Sequence, residues 1–267
     1  MTSNHRRSKI PTYQLKFSFD TDTSVATLDD HTGYSSRDMA YRPRVAEFFA
    51  GIGLVRAALE QAGFHVVFAN DIEPVKRELY AANFDATDFI LDDIRNIHGH
   101  QLPDIDLATA SFPCTDLSLA GGRRGLNGKQ SSMFWEFARV LEEMGCRRPA
   151  FVMLENVPSF ATSRHGEDLC AALARLNGLD YWCDLFAIDA CFFVPQSRPR
   201  LFVIGALEPL HHISDWGPSK LRPAYIQRFV TAHPTLRLNA FALPLPQRHH
   251  ATLETVIERF APDDRRW

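Results

Sequence analysis

The chain has 267 residues, 45% of them apolar, which is enough for one sizeable core and too apolar for a disordered chain. A formal charge of −3 argues against a protein that coats nucleic acid indiscriminately. No stretch reaches the ~20 consecutive apolar residues of a membrane span, and five widely spaced cysteines with no C-x-x-C pair point to neither a disulfide framework nor a zinc site, so a cytoplasmic, reducing setting is expected.

Residues 1–43 read as a polar extension with one alternating piece, Y-Q-L-K-F-S-F. From Arg44 the pattern changes. R-V-A-E-F-F-A is a short apolar run bounded by Gly51, and L-V-R-A-A-L-E-Q-A then repeats apolar residues at helical spacing up to Gly63, a good C-cap. H-V-V-F-A-N predicts a second strand, E-P-V-K-R-E-L-Y-A-A-N a second helix, and D-F-I-L-D-D-I a third strand. D-I-D-L-A-T-A-S follows as a fourth strand, S-M-F-W-E-F-A-R-V-L-E-E-M as a helix, and A-F-V-M-L-E-N-V as a fifth strand. D-L-C-A-A-L-A-R-L-N predicts one more helix and R-L-F-V-I-G-A a late strand. Such alternation implies an α/β domain, a mostly parallel sheet covered on both faces. From Trp216 to Leu253 there is no acid, while Lys220, Arg222, Arg228, Arg237 and Arg248 supply positive charge, so this stretch is either a solvated region or a phosphate-facing surface.

In sheets of this kind ligands sit beyond the carboxyl ends of the strands. The five early strands deliver there A-G-I-G, Asn70-Asp71, Asp92-Asp93, F-P-C-T and Glu155-Asn156, a gathering that looks like a site. Gly51 and Gly53 permit close approach of backbone to a ligand, and Asp71 falls about 20 residues beyond Gly51, the spacing at which an acid reaches ribose hydroxyls. Arg56 stands where the dinucleotide fingerprint has its third glycine. A dinucleotide stays open, but S-adenosylmethionine fits better, since it needs the ribose acid and no pyrophosphate cradle. Asp93 would then meet the adenine amino group or serve only as a turn former.

A lone cysteine is more often an inert small hydrophobe than a nucleophile. Cys114, however, follows Pro113 at the rim and precedes a polar, glycine-rich loop whose Arg123, Arg124 and Lys129 would lower its pKa. Glu155 emerges from an apolar strand, where desolvation would favour its protonated form. Arg198 and Arg200 in Q-S-R-P-R are suited to anions or carbonyl oxygens.

Taken in order, E-F-F-A-G-I-G, N-D-I-E-P, D-D-I, S-F-P-C-T-D-L-S, L-E-N-V and P-Q-S-R-P-R resemble the motif set of the DNA cytosine-5 methyltransferases, over roughly residues 44–206. The resemblance implies a Rossmann-like S-adenosylmethionine-dependent fold over 44–215, with 216–267 a basic segment that starts an incomplete second domain. It implies that Phe48, Ala50, Gly51 and Gly53 line the cofactor pocket, that Asp71 holds the ribose, that Ile72 packs on adenine, that Asp93 and Ile94 meet the adenine edge, and that Met133 is an apolar cofactor contact. Cys114 would be the nucleophile, Glu155 would engage cytosine at N3, Asn156 would support the loop, and Arg198 and Arg200 would bracket the base. Double-stranded DNA is the implied substrate and no metal is implied.

The sequence departs from the family at Thr115, where glutamine is common, and at Phe192-Phe193-Val194, which replaces a tyrosine-glycine pair. No segment like the family's final G-N-S-V motif is found. The expectation is therefore a catalytic part of a split enzyme, with a second polypeptide supplying target recognition and the last motif, against a truncated inactive remnant. An RNA cytosine-5 methyltransferase, a nicotinamide-dependent dehydrogenase and a non-catalytic regulatory subunit are the other readings.

Overall fold

The computed structural model describes residues 41–113, 133–209, 216–217, 219–246 and 252–256. Cys114 and its loop with Arg123, Arg124 and Lys129, the extension 1–40, and Arg248 lie outside the described residues. Seven strands form one sheet in the order β3-β2-β1-β4-β5-β7-β6: β1 (Arg44–Phe48), β2 (His65–Asp71), β3 (Phe89–Leu91), β4 (Leu107–Ala110), β5 (Phe151–Asn156), β6 (Trp182–Asp189) and β7 (Pro199–Ala206). The first five are parallel, so their carboxyl ends share a rim. β7 runs antiparallel to both β5 and β6, which brings the β6–β7 hairpin turn to that same rim.

Helices α1 (Leu54–Gln61) and α2 (Pro74–Ala81) cover one face, α3 (Met133–Glu143) and α4 (Glu167–Gly178) the other. Local chemistry sets their ends. α2 opens with Pro74 at the first helical position, where its missing N–H costs nothing. α1 opens at Gly53, whose φ of +86° favours glycine and where a Cβ would come within 2.5 Å of the Phe84 ring. On α3 the buried Phe134, Phe137, Ala138, Val140 and Leu141 share one core cluster with Phe48 and the α4 leucines. Each such side chain, fully buried, contributes about 1.5–3 kcal/mol.

The strand β6 and a helix, α5 (Ala224–Ala232), fall outside the sequence prediction. β6 carries Asp184 in mid-strand, 2% exposed, and α5 buries Ile226 and Phe229 in the same core cluster as Phe160 and Leu173. Residues from Ser219 to Phe241 thus pack on the sheet domain, with the Cys183 N–H donating to Arg237 O at 3.0 Å and the Asn239 N–H to Cys183 O at 2.9 Å. The phosphate-facing reading of this stretch is corrected at Arg222. It is buried 4% exposed, and its guanidinium bonds both Asp184 oxygens at 2.9 and 2.8 Å and Phe241 O at 2.8 Å. Arg237 is tied to the Asn177 carbonyl and to Asp180, leaving Lys220 and Arg228 as exposed cations among the described residues of this stretch.

Candidate active site

At the β1 end of the rim the backbone turns sharply through Phe49 (φ +58°) and Gly51 (φ +59°). A Cβ on Gly51 would meet nothing closer than Phe49 O at 4.0 Å, so the turn leaves open space above it. Asp71, 4% exposed at the end of β2, organises this turn: its carboxylate accepts from Gly51 N at 3.0 Å, from Glu73 N at 3.0 Å and from Lys76 Nζ at 3.2 Å. A buried carboxylate with one flexible cationic partner beside an open glycine turn suits a ribose diol, which would displace the half-exposed Lys76. Beside it, Ile72 is 55% exposed and available to stack on a flat ring, and Ala50 is buried with its N–H on Asn70 O at 2.9 Å.

Phe48 requires correction as a pocket residue. It is 1% exposed, with its ring 5.3 Å from both Phe68 and Phe137, because a strand residue facing α3 belongs to the core. Phe49 is half-buried, packed against the same core cluster, and in a left-handed conformation that a bulky residue rarely adopts. Such outliers cluster at functional sites.

Asp93 caps the 3-10 turn Ile94–Asn96, accepting from Arg95 N at 2.9 Å and Arg95 Nε at 3.0 Å, and the guanidinium holds its carboxyl below the usual carboxylate range. Ile94 is buried in the core, so it carries the position of the turn more than any open surface. Asn70, placed at the rim by the sequence but given no role there, fixes this corner by donating to Ile90 O at 3.0 Å and Asp92 O at 2.9 Å. Arg56, in place of the third glycine, is 8% exposed and clamps α1 to the chain after α2 through Glu60, Tyr80 Oη and Asp85 O.

Glu47, one residue before Phe48, is 1% exposed, and among the described residues neither carboxylate oxygen has a hydrogen-bond partner; nor does the hydroxyl of Thr109, its register partner on β4. Burial, opposed by nearby Arg56, pushes its pKa up to about 8. The folded protein therefore holds this proton more tightly than the unfolded chain. Its contribution to stability is largest at acidic pH, declines as pH rises above the ordinary value of 4.5, and levels off beyond about 8. Glu47→Gln is expected to stabilise the protein at pH 9 by roughly 3 kcal/mol relative to its effect at pH 5. Urea unfolding at the two pH values checks this, and equal effects at both would remove the assignment.

At the other end of the rim, Phe112 is anchored between Phe134 and Phe160 with ring centroids 5.8 and 5.7 Å away. Asn156 Nδ2 donates to Phe112 O at 3.3 Å, which ties the end of β5 to the chain two residues ahead of Cys114. Glu155 Oε1 receives Arg200 Nε at 2.8 Å, the side chains being 24% and 20% exposed. Glu155, expected to be desolvated, instead stands partly exposed beside the Arg200 guanidinium. Arg198 is exposed one position ahead of β7. Its N–H donates at 2.7 Å to Asp189, a residue missed in the sequence, which also accepts from Cys191 N at 3.0 Å and Ser197 Oγ at 2.9 Å. Met133 starts α3 half-buried against the core.

The described rim thus has one end formed by Asp71 and the glycine turn and an acid–guanidinium end at Glu155, with β4 between them. M.HhaI, a type II methyltransferase of Haemophilus parahaemolyticus, is 32% identical over 162 residues, covering 60% of this chain and 48% of that protein. The orphan methyltransferase M.SPRI of Bacillus phage SPR is 29% identical over 189 residues, covering 69% and 42%. The chain therefore spans about half the length of the curated relatives it matches. The crystal structure of S. pombe Dnmt2 methyltransferase superposes with a TM-score of 0.51 at 27% identity over 62% of this chain and 51% of that one. The family model described as C-5 cytosine-specific DNA methylase matches residues 43–261, the whole sheet domain with both ends of its rim, and the chain belongs to that family.

Proposed function

We propose that the chain transfers a methyl group from S-adenosylmethionine to C5 of cytosine in double-stranded DNA, as the modification component of a restriction-modification system. The observation that carries this reading is the Glu155–Arg200 pair, next to Asn156, which bonds Phe112 O in the segment that leads into Cys114, on the same rim as the Asp71 turn. Asp71 would hold the ribose, with Gly51, Gly53, Ala50, Ile72, Asp93 and Phe49 around the nucleoside and Met133 nearby. The bound cofactor supplies an electrophilic methyl group on a sulfonium.

The residues of the chain supply the rest. Cytosine C5 is a weak nucleophile, so the Cys114 thiolate adds to C6 and pushes electron density to C5. A base entering between Glu155 and Arg200 exchanges their ion pair for contacts to N3 and O2, and the carboxyl, once protonated, donates to N3 as the adduct forms. After C5 takes the methyl group, loss of its proton to a base restores the C5–C6 double bond and expels the thiolate. The target atom is buried in a stacked duplex, so the cytosine must leave the helix.

We further propose that a second polypeptide supplies target recognition. Met153, Phe202 and Ile204, adjacent on β5 and β7, are half-buried apolar side chains on the α1 face, a surface suited to a further apolar segment. Full activity of the chain purified alone would remove this part of the proposal.

Asp71→Ala is expected to weaken S-adenosylmethionine binding roughly 10- to 100-fold in calorimetry, since a charge-assisted contact is lost. Unchanged affinity would place the cofactor elsewhere. Labelled-methyl transfer to duplex DNA and to tRNA then assigns the substrate, and incorporation into tRNA alone would turn the reading to the RNA alternative.

A further inference from the structure

The β6–β7 turn is pinned from within. Asp189 accepts from Cys191 N, Arg198 N and Ser197 Oγ, the N–H groups of Phe193 and Val194 donate to Ala190 O at 2.8 and 2.9 Å, and Gln196 N donates to Val194 O at 2.8 Å. This internally bonded turn holds two large apolar side chains in water: Phe193 is 45% and Val194 43% exposed. Scattered exposed hydrophobes need no explanation, but these two are adjacent at the tip of a preorganised hairpin, flanked by exposed Gln196, Ser197 and Arg198. Their place in the fold matters more than their exposure. Asp189 pairs with Pro199 and Ile188 with Arg200, so the turn begins one residue from the guanidinium that holds Glu155.

We infer that Phe193, backed by Val194, is a nucleobase-stacking wedge that engages a base flanking the extruded cytosine. The inference deepens the proposed function and rests on it. A cytosine delivered to Glu155 and Arg200 draws its neighbours over the hairpin tip, and extrusion leaves unstacked base faces that an aromatic ring covers favourably. An apolar side chain set on a fixed turn loses little freedom on binding, whereas the neighbouring Arg198 and Gln196 offer donors to phosphate or base edges. A side chain of this kind is sequence-tolerant, because every base has a π-face, so it sets affinity and stabilises the open duplex without reading the target.

The test uses the full chain with S-adenosylhomocysteine present and mixed-sequence unmethylated duplex DNA carrying 5-iododeoxyuridine at random thymine positions. Photocross-linking is expected at Phe193, mapped by mass spectrometry. Phe193→Ala should weaken duplex binding about 10-fold by fluorescence anisotropy, and Phe193→Trp should restore it with its indole fluorescence quenched on binding. Phe193→Ala that binds as wild type, with no cross-link between residues 190 and 198, would overturn the wedge while leaving the methyltransferase reading standing. Wild-type protein that binds cofactor but no duplex, both alone and with the products of its neighbouring reading frames, would overturn the wedge and the DNA substrate together. Loss of binding in Phe193→Ala that Phe193→Trp does not restore, without quenching, would reduce the residue to a structural role.

Discussion

Cys114→Ser is expected to lower methyl transfer by at least about 1,000-fold while leaving S-adenosylmethionine affinity unchanged. A free thiol is a few per cent thiolate near neutrality and becomes more so beside cations, whereas a serine hydroxyl is essentially un-ionised and adds to C6 far more slowly. The substitution changes one atom and leaves Asp71 and the glycine turn untouched, so binding and chemistry separate cleanly. Duplex DNA containing 5-fluorocytosine gives a second readout. Fluorine at C5 cannot leave as a proton, so the wild-type adduct is expected to persist on a denaturing gel and the serine variant to show none. Transfer by the variant within 10-fold of wild type would remove Cys114 from the mechanism.

Arg222→Met is expected to destabilise the protein by about 3–5 kcal/mol, because it leaves Asp184 as an uncompensated buried charge. The pair is sealed, with side chains 5% and 3% exposed, and Asp184 also accepts from Phe241 N at 2.9 Å and Leu185 N at 2.7 Å. Its partner sits under Trp216, the guanidinium carbon lying 5.3 Å from the ring centroid. The double variant Arg222→Met with Asp184→Leu should recover most of the loss, since replacing both members of a buried pair by apolar groups is close to neutral. Urea unfolding of both variants decides this. A single variant within about 1 kcal/mol of wild type would show that the pair is solvated in solution.

The same pair explains where the fold resisted reading from sequence. β1 to β5 were legible because short apolar runs end in glycine, proline or aspartate, and the rim followed from their parallel order. β6 was hidden by a charged residue in mid-strand whose partner lies 38 residues further on, a contact no local pattern contains. α5 was hidden for a related reason: the cations around it gave an impression of surface, although Arg222 is neutralised inside and Ile226 and Phe229 face the core. At the site, residue type and spacing pointed to the Asp71 and Glu155 ends of the rim. Phe48 entered the pocket list through the family resemblance alone, and the sequence does not tell where β1 ends and the turn begins. The positive φ at Phe49, just past the strand, is a property of the folded backbone. Asn70 and Asp189 act through backbone atoms brought near only by the sheet, so their side chains carried no signal in isolation.

The central claim is that this rim methylates cytosine at C5 through Cys114. Bisulfite sequencing of DNA from a methylation-free bacterial host that expresses the chain with its neighbouring reading frames tests it most directly, with Cys114→Ser in the same setting as control. The account predicts protected cytosines in one fixed sequence context that disappear in the control. Protection that survives Cys114→Ser, or no protected cytosine while the purified chain binds S-adenosylmethionine and duplex DNA, would contradict it.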